Sequence, residues 1–200
     1  MIRKGGVCVA DAKRVFAFEP YASAAGISGE AAPGVTIAPR RVASMLNLRG
    51  DADSAFPPAG SMTPVALPRE PNTASATQGL RALWLGPDEW LLVSESGPPD
   101  IADAIGSATV TDVSHGRAAL RLWGPDVRSA LAKGCALDLH PRVFAVNHCA
   151  QTAIAKVSVI LDHVRPGVFD IYCPRSYAGS FWHWLTDACA EYRYTVSAPA

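Results

Sequence analysis

The histidines and cysteines in the second half of the chain are the first candidates for chemistry. Cys135, His140, His148 and Cys149 lie within fifteen positions of one another, close enough to suggest metal ligands. Zinc ligands usually come in tight pairs such as Cys-x-x-Cys or His-x-x-x-His, and the sequence contains neither pair. We therefore expect no metal site in this chain and interpret Cys149 and Cys189 as small core residues.

Candidate nucleophiles and acid–base groups are equally sparse. Ser114 and His115 are adjacent, so their side chains diverge and cannot make a nucleophile–base contact. Cys135 follows the carboxyl end of a predicted helix, which raises the pKa of a thiol and disfavours activation. Asp112 lies in a predicted strand and is either an acid–base group or, as we favour, a residue that bonds backbone N–H groups. We predict no catalytic residue in this chain.

Cofactor motifs and a basic surplus are also missing from the sequence. No G-x-G-x-x-G run and no P-loop occurs among the 200 residues, which indicates that any redox cofactor is bound by another chain. Eighteen Lys and Arg balance eighteen Asp and Glu, whereas nucleic-acid binding needs a basic patch. The amino terminus lacks the apolar run of an export signal, no stretch is long enough to span a membrane, and the five cysteines are odd in number. Together these features predict a cytoplasmic protein with reduced cysteines and no nucleic-acid or membrane partner.

The central stretch, residues 108–134, predicts a strand, a tight turn, a second strand and a helix. Side chains alternate over Thr109–Val113 and over Arg117–Trp123, as the two-residue period of a strand requires. Ser114–Gly116 is small and polar, so we expect the chain to reverse there. Helical spacing follows Pro125 and ends near Gly134.

The remaining elements predict an α+β fold with mostly antiparallel sheets and covering helices. The expected strands are Val35–Pro39 (a short edge strand ended by Pro39), Arg41–Arg49, Arg81–Leu85 and Trp90–Ser94 around a type I turn, Cys149–Ala155, Val157–Leu161 and Val168–Cys173. Short helices are expected within Asp51–Ser61 and Pro98–Ile105, and a final helix with a full apolar stripe follows Pro174. We divide the chain into an irregular arm (1–39), one α+β domain (40–195, with possible halves 40–106 and 107–195) and a tail (196–200).

Four stretches of the sequence carry a resemblance to one protein family. They are LWLGPDEWLLV (Leu83–Val93), TDVSHGRAALRLWGPDVRSALAKGCALDLHPRVF (Thr111–Phe144), CAQTAIAK (Cys149–Lys156) and FDIYCPRSYAGSFWHWL (Phe169–Leu185). With these stretches, most of residues 40–192 resembles the gamma subunit of heterotetrameric sarcosine oxidase. Residues 1–35 carry no usable resemblance.

The resemblance implies a fold, a complex and a division of labour. The fold would be the folate-binding aminomethyltransferase type of the glycine-cleavage T-protein. The whole enzyme would demethylate sarcosine to glycine, producing hydrogen peroxide and methylene-tetrahydrofolate. Flavins, nicotinamide dinucleotide, zinc and tetrahydrofolate would be bound by other subunits, and this chain would support assembly on the alpha subunit beside the beta and delta subunits.

Two alternatives remain open, and the docking surface is a separate prediction. The chain could be a stand-alone folate-dependent C1-transfer enzyme that uses Asp112, or the gamma subunit of a related N-methyl amino-acid oxidase or dehydrogenase. Turns and helix starts expose polar and aromatic groups together, and tryptophan and arginine are enriched at interface centres. The predicted partner interface is His115, Arg117, Trp123, Arg175 and Tyr177. Trp182, beside the apolar stripe of the last helix, is a further candidate for partner contact.

Overall fold

The computed structural model describes residues 15–23, 26, 32–51, 65–77, 79–99 and 108–199. The strands in this part of the chain are β1 (Val35–Arg40), β2 (Ser44–Arg49), β3 (Ala74–Thr77), β4 (Leu80–Gly86), β5 (Glu89–Ser94), β6 (Thr109–Asp112), β7 (Arg117–Trp123), β8 (Cys149–Ile154), β9 (Val157–Arg165), β10 (Val168–Pro174) and β11 (Tyr194–Val196). The α-helices there are α1 (Val127–Ala132) and α2 (Ala178–Cys189), and short 3-10 turns cover Glu19–Tyr21, Arg175–Tyr177 and Ala190–Tyr192. Nearly all of the two short helices expected before residue 106, and much of the expected arm, fall outside the described residues.

The strands form two sheets, as an α+β fold with mostly antiparallel pairing requires. The six-stranded sheet has the order β11-β1-β7-β10-β9-β8 and the five-stranded sheet the order β3-β4-β5-β2-β6. Every pairing between these named strands is antiparallel except that of β1 with β11. The predicted fold class is confirmed. No helix in the described part of the chain is both long and apolar enough to cross a membrane.

The helices cover one face of the six-stranded sheet. Phe181, Leu185 and Cys189 recur at i, i+4 and i+8 on α2 and are fully buried, which is the apolar stripe expected from the sequence. They pack with Leu120 of β7 and with other side chains that point to the same side of the sheet. This helix-side layer is the larger part of the core.

The opposite face of the six-stranded sheet packs against the five-stranded sheet, and we call this contact the inter-sheet layer. Ala119, Ile160 and Tyr172 from one sheet meet Leu83 and Leu91 from the other, all of them buried. Residues 117, 119, 121 and 123 of β7 share this side, because alternate side chains of a strand point the same way.

The turn after β6 joins the two sheets, so the two strands that flank Ser114–Gly116 lie in different sheets. β6 pairs with β2 in the five-stranded sheet, whereas β7 pairs with β1 and β10 in the other sheet. Buried Ser114 fixes the crossing, since its Oγ accepts a hydrogen bond from the Met45 N–H at 2.8 Å. Alternation identified both strands but contains no information about their partners.

Two expectations from the sequence were wrong. β1 is not an edge strand, since it lies between β7 and β11, and it continues through Pro39 to Arg40. Pro39 is tolerated because β11 pairs only with Val35–Ile37 and leaves the rest of that side of β1 free of a strand. The β4–β5 hairpin forms as predicted, but Asp88 has a φ of 58°, which is typical of the third position of a type II turn and not of a type I turn.

Candidate functional site

Two buried aspartates lie at the centre of the inter-sheet layer. Asp162 of β9 and Asp170 of β10 are paired directly across the sheet and are both 0% exposed. Burying two carboxylates side by side is costly unless cations compensate them. Three arginines supply that compensation, as described below.

Arg121 and Arg40 neutralise Asp170 from the same sheet. The Arg121 guanidinium donates two hydrogen bonds to this carboxylate, from Nε at 2.7 Å and from the second terminal nitrogen at 2.9 Å. Arg40, only 5% exposed, donates to Asp170 at 2.7 Å, to the Tyr172 hydroxyl at 3.2 Å and to the Glu95 carboxylate at 2.5 Å. Burial and the neighbouring Asp170 carboxylate raise the pKa of Tyr172, so its hydroxyl stays protonated.

Arg81 neutralises Asp162 from the opposite sheet. Its Nε and one terminal nitrogen donate to the two carboxylate oxygens at 2.8 and 2.6 Å, in the fork geometry that suits arginine. Burial still raises the pKa of Asp162 to about 6, with a further contribution from Asp170, against the lowering by Arg81. The pair joins β4 to β9 and therefore couples the two sheets.

Arg117, on the same side of the six-stranded sheet, is an exception to this pairing. Within the described residues its guanidinium has no hydrogen bond or ion pair, although the side chain is partly buried. Burial lowers its pKa, and Glu89 opposes that effect through space. The Glu89 carboxylate is already bonded to Asn47 and Arg49, both at 2.8 Å.

Arg117 lines a groove of about 380 Å³ at the margin of the inter-sheet layer. We call it the Arg117 groove; its other principal lining residues are Gln151, Ser158, Ile160 and Pro174. Arg117 also lines a second, much smaller cavity on its other side, together with Arg40 and Arg175. Cationic side chains therefore concentrate where β7 begins.

Four of the five predicted interface residues come together at this end of the sheet. Pro174 of β10 pairs with Arg117, and the Arg175 N–H donates to the Gly116 carbonyl at 2.9 Å. His115 and Arg175 are exposed, and Tyr177 is 52% exposed despite its large ring. We call His115, Arg117, Arg175 and Tyr177 the basic end.

Trp123 lies apart from the other four. It occupies the far end of β7, six residue steps from Arg117 or roughly 20 Å at strand spacing. Trp182 does not extend into solvent, because it is buried and stacks on the Tyr21 ring at 5.1 Å. Trp182 is therefore not available on the surface of α2 for contact with a partner in this conformation of the chain.

Asp112 and Cys149, two of the candidates for catalysis or metal binding, have structural partners. No group of three or more His, Cys, Asp or Glu side chains suited to a metal occurs among the described residues. Asp112 accepts a hydrogen bond from the Ser114 N–H at 2.8 Å, as the favoured interpretation predicted. The Cys149 thiol lies at hydrogen-bond distance from the backbone oxygens of Thr73 and Trp84, and burial raises its pKa to about 12.

The paired aspartates and their arginines were missed by sequence reasoning. Asp170 lies inside β10 and Asp162 inside β9. One signal was available: Asp170 stands between two apolar residues in FDI, and Asp162 follows the apolar run VIL. Alternation predicts such a residue on the opposite face of the strand, but it does not reveal that a second sheet covers that face.

Comparison with known proteins places this architecture in a family. Residues 49–191 match the model of the "Sarcosine oxidase, gamma subunit family". The sarcosine oxidase subunit gamma of Corynebacterium sp. (strain U-96) is 35% identical over 176 residues, which cover 84% of this chain and 85% of that protein.

Solved structures agree with the sequence match. A chain of the heterotetrameric sarcosine oxidase from Corynebacterium sp. U-96, in complex with pyrrole 2-carboxylate, superposes with a TM-score of 0.76 at 32% identity, covering 90% of this chain and 96% of that one. The glycine cleavage system aminomethyltransferase T from Bartonella henselae shares the fold at 14% identity and a TM-score of 0.51, covering 76% of this chain and 45% of that one. The chain therefore belongs to the sarcosine oxidase gamma subunit family.

Proposed function

We propose that this chain is a non-catalytic subunit of a heterotetrameric sarcosine oxidase and supports its assembly. The observation that carries the proposal is the superposition on a chain of such an enzyme across nearly the full length of both. The site geometry is compatible with it, because Asp162 and Asp170 are engaged in ion pairs that hold the sheets together. Such pairs are structural elements and leave these carboxylates unsuited to acid–base work.

The proposal includes the reaction and the partners. The complex would demethylate sarcosine to glycine in the cytoplasm, with hydrogen peroxide and methylene-tetrahydrofolate as further products. Flavins, nicotinamide dinucleotide, zinc and tetrahydrofolate would be bound by the alpha, beta and delta subunits, with alpha as the direct partner. A panel of N-methyl amino acids tested on the purified complex distinguishes sarcosine from the substrates of related oxidases.

The basic end is the proposed docking surface. Arg175 and Tyr177 are exposed beside the partly buried Arg117, and arginine and tyrosine are enriched at the centres of protein interfaces. Trp123 stays a prediction, and a partner that contacts it as well would extend about 20 Å along β7. The Arg175→Glu variant is expected to impair assembly, with Arg142→Glu, in an exposed loop outside the basic end, as the matched control.

Co-expression with the other three subunits tests the function directly. A tagged copy of this chain is expected to co-purify with alpha, beta and delta, and the complex is expected to show flavin absorbance and peroxide production with sarcosine. The chain purified alone is expected to show neither. Peroxide production by the isolated chain, or failure to retain the other subunits, would contradict the proposal.

The folate-dependent C1-transfer alternative receives no support from a specific observation. It relied on the fold, which is shared with the aminomethyltransferase at only 14% identity, and on Asp112, whose carboxylate is bonded to the backbone of the following turn.

A further inference from the structure

Arg117 differs from the other arginines that face the inter-sheet layer. Arg40, Arg81 and Arg121 each donate to a carboxylate that is fully buried. In the described part of the chain, Arg117 also faces the inter-sheet layer but makes no such bond. A partly desolvated cation without an anion raises the free energy of the folded chain. An external anion would therefore bind Arg117 more tightly than it would bind an arginine in solvent.

The Arg117 groove gives that anion a defined approach. Its floor follows the register of the sheet, since Arg117 pairs with Pro174, and Ile160 pairs with Gln151. The floor crosses from β7 through β10 and β9 to β8, three strand spacings or roughly 14 Å. The groove is therefore long enough for an extended segment of a few residues that enters over β8 and ends at Arg117.

Polar groups along the groove match a peptide and not a purely apolar ligand. The exposed Ser158 and Gln151 lie between the entrance and Arg117, with Ile160 as the apolar part of the floor. The Gln151 side-chain amide donates a hydrogen bond to the Leu85 carbonyl, which holds this side of the groove in place. At the inner end, the small neighbouring cavity is also lined by the exposed Arg175, so the local charge favours an anion.

We propose that the Arg117 groove receives an extended segment of a partner subunit and that an aspartate or glutamate of this segment pairs with Arg117. The inference rests on the proposed function, because it specifies how the basic end contacts its partner. Arg117 would then make the forked bond to carboxylate that Arg81 and Arg121 make within the chain. The pair would be covered by the segment itself, which is the setting in which an interfacial charge pair has its largest effect.

A substitution that retains length and removes charge tests the pairing. The heterotetramer is co-expressed with wild-type chain, Arg117→Met, Arg117→Lys or the control Arg142→Met, and its dissociation on dilution is followed by mass photometry. Because one charge of a buried interfacial pair is removed, Arg117→Met is expected to weaken assembly by at least about 30-fold. Arg117→Lys is expected to fall between wild type and Arg117→Met, and Arg142→Met is expected to match wild type.

Two further readouts separate docking from a structural role. Arg117→Met is expected to leave the melting temperature of the isolated chain unchanged or raise it, since the variant removes a partly buried charge without a partner. A photo-crosslinking residue, p-benzoylphenylalanine at position 158, is expected to capture one partner peptide that contains an acidic residue.

The results that overturn the inference differ from those that overturn the proposed function. If wild-type chain assembles and Arg117→Met assembles equally tightly, or if the captured peptide has no acidic residue, the pairing is wrong while the function stands. If wild-type chain does not join the complex at all, the proposed function fails and the inference fails with it.

Discussion

Replacing Arg81 with methionine should destabilise the chain by separating the two sheets at their charged centre. Arg81 of β4 is the residue that donates two hydrogen bonds to Asp162 of β9 from the opposite sheet. Its side chain is 13% exposed and that of Asp162 is 0% exposed. Methionine keeps the apolar length of the side chain but leaves a buried carboxylate without its cation.

The magnitude follows from the burial of the carboxylate that remains. Removing one partner of a buried ion pair costs about 3–5 kcal/mol. In a chain of this size, 1 kcal/mol corresponds to a change of roughly 2–4 °C in melting temperature. We therefore expect a decrease of about 6–20 °C at pH 8. The double variant Arg81→Met/Asp162→Leu is expected to recover much of the loss, because both charges are then removed together.

The pKa of Asp162 determines how the loss of stability in Arg81→Met changes with pH. In the wild-type chain the pKa of Asp162 is about 6, above its ordinary value of 3.8. The stabilising contribution of this group is therefore complete below about pH 4 and is lost as the pH rises through 6. Without Arg81, which lowers this pKa, the value moves higher still. The loss caused by Arg81→Met is thus expected to be smaller at pH 5 than at pH 8.

Thermal unfolding followed by circular dichroism at pH 5 and pH 8 measures both effects. Arg49→Met is the matched control, since Arg49 also bonds a carboxylate, that of Glu89, but is exposed. It is expected to change the melting temperature little at either pH. The reasoning is refuted if Arg81→Met is no more destabilising than Arg49→Met, or if its effect is the same at both pH values.

Three further variants or measurements test the fold. Gly124→Ala should lower the free energy of unfolding in urea by about 2 kcal/mol or more, because Gly124 has a φ of 129° and an added Cβ would collide with the Gly34 carbonyl oxygen. Gly167→Ala is the control: Gly167 has a φ of 69° and open space around it, so the substitution should lower the free energy of unfolding by only about 1 kcal/mol. Ser114→Ala should cost about 1–3 kcal/mol in the same assay, since it removes buried hydrogen bonds to the backbone of β2, and a smaller cost would contradict its role in the sheet crossing. Iodoacetamide should alkylate Cys149 at pH 8 at least about 100-fold more slowly in the folded chain than in urea, because burial raises the thiol pKa to about 12. Mass spectrometry of peptides measures the two alkylation rates, and equal rates would refute the prediction.

Local periodicity predicted individual elements well and their partners poorly. The alternation of Arg117–Trp123 and the stripe of Phe181, Leu185 and Cys189 each identified one strand or helix and its buried side. The division into two sheets depends on contacts between distant residues, such as β6 with β2, and no local pattern contains that information. For this reason the sequence did not reveal that the strands on either side of Ser114–Gly116 belong to different sheets.

The candidate site was predictable only in part. Polar and aromatic residues at predicted turns and helix starts indicated the basic end. The fold assembles this surface from the start of β7 and the residues after β10. The buried charges were not predictable, because Arg40 and Asp170 are 130 positions apart. A charged residue that alternates with apolar neighbours is normally exposed to solvent, whereas here a second sheet covers it.

Co-expression with this chain omitted tests the central claim most directly. We compare native mass spectra and sarcosine-dependent peroxide production for the other three subunits with and without this chain. The account predicts that adding the chain increases the amount of assembled, flavin-containing enzyme, with one copy of the chain in each complex. A complex of the other three subunits that forms and turns over equally well without it would contradict the account.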